Sequence, residues 1–115
     1  MAEFRTLADR AWNIRQLYAR LETLRHGRPW SREEVALGFV GDVGDLAKLI
    51  QAVEGVRAIP DAQAKLSHEL ADCLWSVMTL AKLYDIDLEA SFEATMVELD
   101  ATIAARLSQT DQKAI

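Results

Sequence analysis

The chain has 115 residues, is 50% hydrophobic and carries a formal net charge of −5 with a pI near 5.0. This length predicts one domain, and the acidic balance argues against non-specific binding to nucleic acids or anionic membranes, which requires positive surface potential. The single cysteine excludes an intramolecular disulfide, and the apolar runs are too short for a signal peptide or a membrane span. We therefore expect a cytoplasmic protein.

Apolar residues recur at alternating steps of three and four along most of the chain, which is the spacing of one face of an α-helix. Four such stripes follow one another and predict four helices. The stripes run from Phe4 to Leu21, from Val35 to Val53, from Leu66 to Tyr84 and from Leu88 to Leu107.

The residues between the stripes predict where the helices begin and end. Gly27 is a C-terminal stop signal for the first helix. Ser31 followed by Glu34 matches a capping box, in which the hydroxyl and the carboxylate each accept a backbone hydrogen bond at the start of the second helix. Asp61 and Asp87 are the predicted N-caps of the third and fourth helices.

No segment alternates at period two for long enough to predict a strand, and the connections are short. We therefore expect an all-α fold, a four-helix bundle of antiparallel neighbours, spanning residues 1–108 and followed by a polar tail over 109–115. A second apolar face on the first helix, with Trp12, Leu17 and Leu24, predicts that another subunit completes the bundle.

Two pairs of acidic residues have the spacing i, i+3: Asp42 with Asp45, and Glu69 with Asp72. Such a pair projects from one side of a helix on successive turns, so two facing helices can bring four carboxylates to one point. Hard divalent cations bind to oxygen clusters of this kind. The alternative is that the acids only solvate helix surfaces.

A polar strip lies beside the apolar stripe of the third helix, as expected of a cleft wall, although a solvated face would have the same pattern. The strip consists of Lys65, Glu69, Asp72, Ser76 and Thr79.

Gly38, Gly41 and Gly44 recur every third residue within the second helix. Each lowers helix stability by about 1 kcal/mol relative to Ala. We interpret this loss as a sign that a ligand or another helix approaches the backbone next to Asp42 and Asp45. Tight helix packing alone is the competing explanation.

The sequence lacks the residues that several other kinds of catalytic or metal site require. A di-iron carboxylate bundle needs Glu-x-x-His on two helices, and neither His26 nor His68 supplies it. The sequence has no Ser-His-Asp spacing, no phosphate-binding glycine loop and no zinc motif. These exclusions favour chemistry that depends on a hard metal ion.

The residues Trp30-Ser31, Leu37–Ala47 and His68–Trp75 together resemble the MazG-like all-α nucleoside triphosphate pyrophosphohydrolases, over roughly Trp30 to Leu99. The resemblance implies a four-helix scaffold that binds Mg²⁺ through two acidic pairs and forms homodimers or homotetramers. It also implies cleavage of a (deoxy)nucleoside triphosphate to the monophosphate and pyrophosphate, as a nucleotide-pool house-cleaning activity.

The resemblance assigns roles to the acidic pairs. Asp42 and Asp45 stand where the family has its first two glutamates, each one methylene shorter, and Glu69 with Asp72 matches the second pair. All four are then expected to hold one or two Mg²⁺ ions, for which Mn²⁺ can substitute, with Glu69 and Asp72 catalytic. A metal-activated water would attack the α-phosphorus, and one of the carboxylates, not further specified, would accept its proton.

The last helix lacks the Lys and the Asn or Tyr that related enzymes tend to carry there for the phosphates. Phosphate contacts are therefore expected from Lys48, Lys65, Lys82 or a partner subunit. Trp30 and His26, near the start of the second helix, are the candidates to stack on the base, because aromatic faces accept any base. Trp75 is a further candidate, with a place in the core or at an interface as its alternative.

Two functions remain open. The four carboxylates favour the nucleoside triphosphate pyrophosphohydrolase. The missing basic residues on the last helix favour a non-catalytic helical module that binds a metal or a partner on the same scaffold. A purely structural bundle would leave the glycines and both acidic pairs unexplained.

Overall fold

The computed structural model describes residues 3–113, which contain four α-helices and no strand, so the all-α prediction is confirmed. The chain divides into two compact units, one extending to Asp85 and the other beginning at Ile86. The first unit holds three helices and the second holds one. Their bounds are α1 Phe4–His26, α2 Arg32–Val53, α3 Ala62–Leu83 and α4 Leu88–Lys113.

Three of the predicted helix ends are present. Gly27 follows α1 with a left-handed backbone, φ 81°, which terminates the helix without the strain a side chain would cause. The backbone N–H of Glu34 donates to the Ser31 hydroxyl at 3.2 Å, and the N–H of Ser31 donates to the Glu34 carboxylate at 3.0 Å, which forms the capping box of α2. Asp87 caps α4 through a 3.1 Å bond from the Ala90 N–H.

The predicted side-chain cap at Asp61 is wrong. Asp61 directly precedes α3, but its carboxylate makes no capping hydrogen bond to any residue that the structure describes. The reason is its left-handed backbone, φ 54° and ψ 37°, because a capping side chain reaches the first turn from an extended conformation. Its carbonyl still accepts a hydrogen bond from the N–H of Lys65 at 3.1 Å.

Within the first unit, α3 packs against both α1 and α2. The guanidinium of Arg32, at the start of α2, lies 4.8 Å from the ring centre of Tyr84, just after α3, so the two helices are antiparallel. Trp75 joins α3 to α1, because its indole N–H donates to the carbonyl of Ala11 at 2.9 Å. The ring of Tyr18 meets Trp75 edge-on at 5.6 Å.

The two most buried residues of α3 are small rather than long. Ser76 is 2% exposed and Thr79 is 1% exposed, and Met78 and Ala81 are also buried, at 7% and 8%. The prediction that Ser76 and Thr79 line a cleft is therefore wrong. Small side chains allow neighbouring helices to come close, and they turn Leu70 and Leu74 of the predicted stripe towards an open side, where both are about half exposed.

The fourth helix continues to Lys113, so the segment predicted as a polar tail is helical as far as the structure describes it. Its apolar stripe is exposed, with Phe92 and Ile103 each more than half accessible. No helix within residues 3–113 is both long and apolar enough to cross a membrane.

Candidate metal centre

Three acidic side chains from two helices converge in the first unit. One carboxylate oxygen from each of Asp42, Asp45 and Glu69 lies within 4.8 Å of the other two. The spacing i, i+3 places the two aspartates on successive turns of α2, and the antiparallel packing brings Glu69 of α3 opposite them. We call these three residues the carboxylate group.

Glu69 is the most constrained member of the carboxylate group. Its Oε1 atom is buried and finds no hydrogen-bond partner among the residues that the structure describes. Burial raises the pKa of Glu69, and the negative charges of Asp42, Asp72 and Asp45 raise it further. Because a buried carboxylate oxygen without a partner is unfavourable, a proton, a water molecule or a cation bound at this atom would stabilise the site.

Asp42, like Glu69, has a raised pKa. Its pKa is raised mainly by burial, with smaller contributions from the charges of Asp72 and Asp45. The donor set therefore fits a hard divalent cation, which prefers carboxylate oxygens. Two oxygens bound to one Mg²⁺ at about 2.1 Å are at most about 4.2 Å apart, so small side-chain rotations bring the carboxylate group within reach of a single ion.

Asp72, the fourth predicted ligand, lies beside the carboxylate group rather than in it. Its Oδ2 atom is 3.2 Å from Nε2 of His68, and both side chains are largely accessible. Its charge still raises the pKa of Asp42 and Glu69, which places it close to both. Sequence reasoning missed the contact with His68, although the i, i+4 spacing of the two residues could have indicated it.

An open cleft of about 580 Å³ adjoins the carboxylate group on the side of the connection between α2 and α3. It brings the predicted Lys48 and Lys65 together with Asp45 and Glu69. The sequence offered a signal, since each lysine lies about one turn from a carboxylate towards the same end of an antiparallel pair. The remaining lining residues, which were not predicted, are Leu49, Ile59, Asp61, Ala64 and His68.

Trp30 and His26, the two predicted base-stacking residues, lie outside the lining of the cleft. Trp30 is in the connection between α1 and α2, and its ring lies so close to Gly38 that a Cβ atom there would be 3.2 Å from Cζ3. His26 is the exposed last residue of α1. The lining of the cleft includes neither.

The glycines of α2 differ in their surroundings. Only Gly38 has a close neighbour, the ring of Trp30, whereas a Cβ at Gly41 or Gly44 would meet no atom within 4 Å among residues 3–113. Tight packing inside this chain therefore explains Gly38 and leaves Gly41 and Gly44 unexplained.

The fold and the carboxylate group define an all-α protein with an acidic site of the kind that binds hard metal ions. Residues 31–100 match the family model of the MazG nucleotide pyrophosphohydrolase domain, and the chain belongs to that family. Membership indicates a hydrolase that acts on nucleotides, and the matched segment contains all four predicted carboxylates. Comparisons with curated proteins and with solved structures gave no match.

Proposed function

We propose that the protein is a Mg²⁺-dependent nucleoside triphosphate pyrophosphohydrolase, which converts a (deoxy)nucleoside triphosphate to the monophosphate and pyrophosphate. Mn²⁺ can replace Mg²⁺. The observation that supports it most directly is the buried Oε1 of Glu69 within the carboxylate group, which has no hydrogen-bond partner among residues 3–113, in a chain of the MazG family. Its proposed role is house-cleaning of the nucleotide pool. The proposed location is the cytoplasm, because the free nucleotides that it would hydrolyse are found there.

Asp42, Asp45 and Glu69 are the proposed metal ligands, because their oxygens already converge. A bound divalent ion supplies charge neutralisation for the triphosphate and a lower pKa for a coordinated water. The ligands in turn fix the position of the triphosphate relative to α2 and α3. Positioning and electrostatic stabilisation of this kind supply most of the rate in phosphoryl chemistry.

Asp72 is the proposed proton acceptor, since it is the predicted carboxylate that lies outside the carboxylate group. In the reaction, the oxygen of a water forms a bond to the α-phosphorus while the bond from that phosphorus to the bridging oxygen breaks. Pyrophosphate leaves with the bonding electrons, and the water proton passes to Asp72 and then to solvent.

Lys48 and Lys65 are the proposed contacts for the phosphates, because both line the cleft beside Asp45 and Glu69. Their charges offset those of the β- and γ-phosphates and stabilise the leaving pyrophosphate. They would replace the basic residues that the last helix lacks. Trp30 and His26 remain the candidates for the base.

We also propose that the chain forms a homodimer or a homotetramer. Large apolar side chains are exposed on each of its units, among them Leu37 and Val40 on α2 and Phe92 on α4. Apolar surface of this extent is typically covered by another subunit. Light scattering at micromolar concentration measures the mass, and a monomer would contradict the proposal.

The test is release of pyrophosphate from canonical and modified nucleoside triphosphates with Mg²⁺ or Mn²⁺, in parallel with thermal unfolding with and without the metal. Wild type is expected to release pyrophosphate and monophosphate and to be stabilised by the metal, since binding to the native state raises its stability. Glu69→Gln should lose both effects. Asp72→Asn should keep the stabilisation and lose turnover. Metal stabilisation of wild type without any release would favour the non-catalytic module.

A further inference from the structure

A buried ion pair holds the connection between α1 and α2. Arg15 is only 5% exposed, and its Nη1 atom donates to both carboxylate oxygens of Glu22, at 3.0 and 3.1 Å. Its Nη2 atom donates to the carbonyl of Trp30 at 3.1 Å, and the N–H of Trp30 donates to Oε1 of Glu22 at 2.7 Å. Both backbone polar groups of Trp30 are therefore bonded to one ion pair, which we call the Trp30 clamp.

The Trp30 clamp is more than an ordinary surface ion pair. Removing a guanidinium and a carboxylate from water is unfavourable, and the loss is recovered only when geometry is good and the remaining donors are satisfied. Neither Arg15 nor Glu22 belongs to the carboxylate group or to the lining of the cleft. The feature that this arrangement determines is the position of Trp30.

The ring of Trp30 contacts α2, the helix that carries Asp42 and Asp45 of the carboxylate group. It rests against Gly38, which is one helical turn before Asp42 and on the same face of the helix. The side chain is 44% exposed, so part of it is accessible to a ligand. Lys48 lies on the other side of the aspartates, towards the cleft.

Along α2 the order is therefore an aromatic ring, two carboxylates and a lysine. From Gly38 to Lys48 the helix rises about 15 Å. A nucleoside triphosphate has the matching order of a flat base, an α-phosphate and a terminal pyrophosphate. With the α-phosphate at the carboxylate group and the pyrophosphate at Lys48 and Lys65, the base points towards Trp30.

We infer that Arg15 and Glu22 are positioning residues that hold Trp30 as the stacking wall for the base of the nucleotide. This inference rests on the proposed function. A ring that is already fixed loses little freedom when a base stacks on it, which improves affinity without a new contact. Gly38 contributes by allowing the ring to lie against the backbone.

A double-mutant cycle between Arg15→Lys and Trp30→Ala tests the inference. Lysine keeps the positive charge but lacks the planar guanidinium, whose two nitrogens donate to the Glu22 carboxylate and to the Trp30 carbonyl. The readouts are the KM for hydrolysis and, independently of turnover, the calorimetric Kd of the α,β-methylene analogues of dCTP and dATP with Mg²⁺. Loss of stacking in Trp30→Ala should raise the Kd about tenfold or more. Arg15→Lys should raise it severalfold in wild type and less than twofold in the Trp30→Ala background.

Arg28→Lys is the matched control, because Arg28 lies in the same connection and pairs with Glu34 on the surface. It should leave the Kd unchanged. Equal effects of Arg15→Lys in both backgrounds, or none in either, would overturn the inference, as would failure of both analogues to bind. The inference would also be overturned if Trp30→Ala changed the mass of the oligomer and left the Kd unchanged. If the effects of Arg15→Lys and Trp30→Ala on the Kd are coupled but no pyrophosphate is released, the proposed function alone is overturned. If pyrophosphate is released but the two effects are not coupled, this inference alone is overturned.

Discussion

The molecule contains two groups of charged side chains with opposite character. In the Trp30 clamp, Arg15 and Glu22 have opposite charges and bond to each other and to the backbone. In the carboxylate group, like charges face one another, and Oε1 of Glu69 has no partner among the described residues. The charges of the first group are compensated within the chain, whereas those of the second would be compensated by protonation or by a bound cation.

This difference separates a structural role from a ligand-binding role. A paired group contributes most when the protein stands alone, and removing one partner leaves the other charge exposed to an unfavourable environment. A group of like charges opposes folding when alone and contributes when a cation binds. Substitutions in the carboxylate group should therefore act mainly on activity, and substitutions in the Trp30 clamp mainly on stability.

The largest effect is expected from Asp42→Asn, which removes a charge without changing volume. Pyrophosphate release should fall about a hundredfold or more, as when a preorganised group at a developing charge is lost. Stability in EDTA should not fall, because repulsion with Glu69 is relieved. Steady-state kinetics and urea unfolding measure the two. Glu54→Gln, an exposed acid at the end of α2, is the control, and a similar loss there would refute the comparison.

Arg15→Ala should act mainly on stability. Removing one partner of a buried ion pair typically destabilises a protein by about 3 kcal/mol, because Glu22 would keep an uncompensated charge. Urea unfolding in EDTA gives the value, and Arg28→Ala, which breaks an exposed pair, should show little change. Unaltered stability of Arg15→Ala would mean that the Trp30 clamp does not contribute in solution.

Stability should respond to pH with two opposite signs. The pKa of Asp42 and that of Glu69 are raised in the folded protein, so the folded state binds protons more readily and metal-free stability should increase as pH falls from neutrality towards their ordinary pKa values of 3.8 and 4.5. The pKa of Glu34 is lowered from 4.5 to about 2, chiefly by its hydrogen bond with Arg28. Its contribution is complete above about pH 4.5 and is lost as pH falls towards 2.

Urea unfolding in EDTA between pH 7 and pH 2 checks both signs. Glu69→Gln should flatten the increase that occurs above its ordinary pKa of 4.5, and Glu34→Gln should flatten the loss between 4.5 and about 2. A wild-type stability that falls steadily from pH 7 would contradict the electrostatic account of the carboxylate group.

The smallest effect is expected from Gly41→Ala. A Cβ at this position meets no atom within 4 Å in the described part of the chain, so the variant should gain up to about 1 kcal/mol of stability from helix propensity. Gly38→Ala should not show this gain, because its Cβ would meet the ring of Trp30. Thermal unfolding compares the two, and equal gains would mean that the ring does not rest on Gly38 in solution.

Patterns local in sequence predicted much of the fold. The apolar stripes located all four helices, and the Ser31 and Glu34 capping box fixed the start of α2. The two acidic pairs predicted the convergence of Asp42, Asp45 and Glu69, because i, i+3 spacing and antiparallel packing leave few other arrangements, whereas Asp72 lies beside that group. These features depend on neighbours within one or two turns.

Features that depend on how helices meet were not predictable in the same way. The rotation of α3, which buries Ser76 and Thr79 in place of Leu70 and Leu74, is decided by how closely small residues let the helices approach. The Trp30 clamp links Arg15 and Glu22, which are seven positions apart on α1, to Trp30 in the connection between α1 and α2. No sequence pattern near these residues predicts that they meet. The left-handed backbone of Asp61 likewise overrode its sequence preference for capping.

The carboxylate group is formed by two helices that are consecutive in the chain. Only the short loop between Val53 and Ala62 has to close for α2 and α3 to meet. Contacts between residues that are near in sequence form early in folding. Repulsion between Asp42 and Glu69 then opposes an early step rather than a late one. Mg²⁺ in the refolding buffer should therefore speed folding measured by stopped-flow fluorescence, more than it slows unfolding.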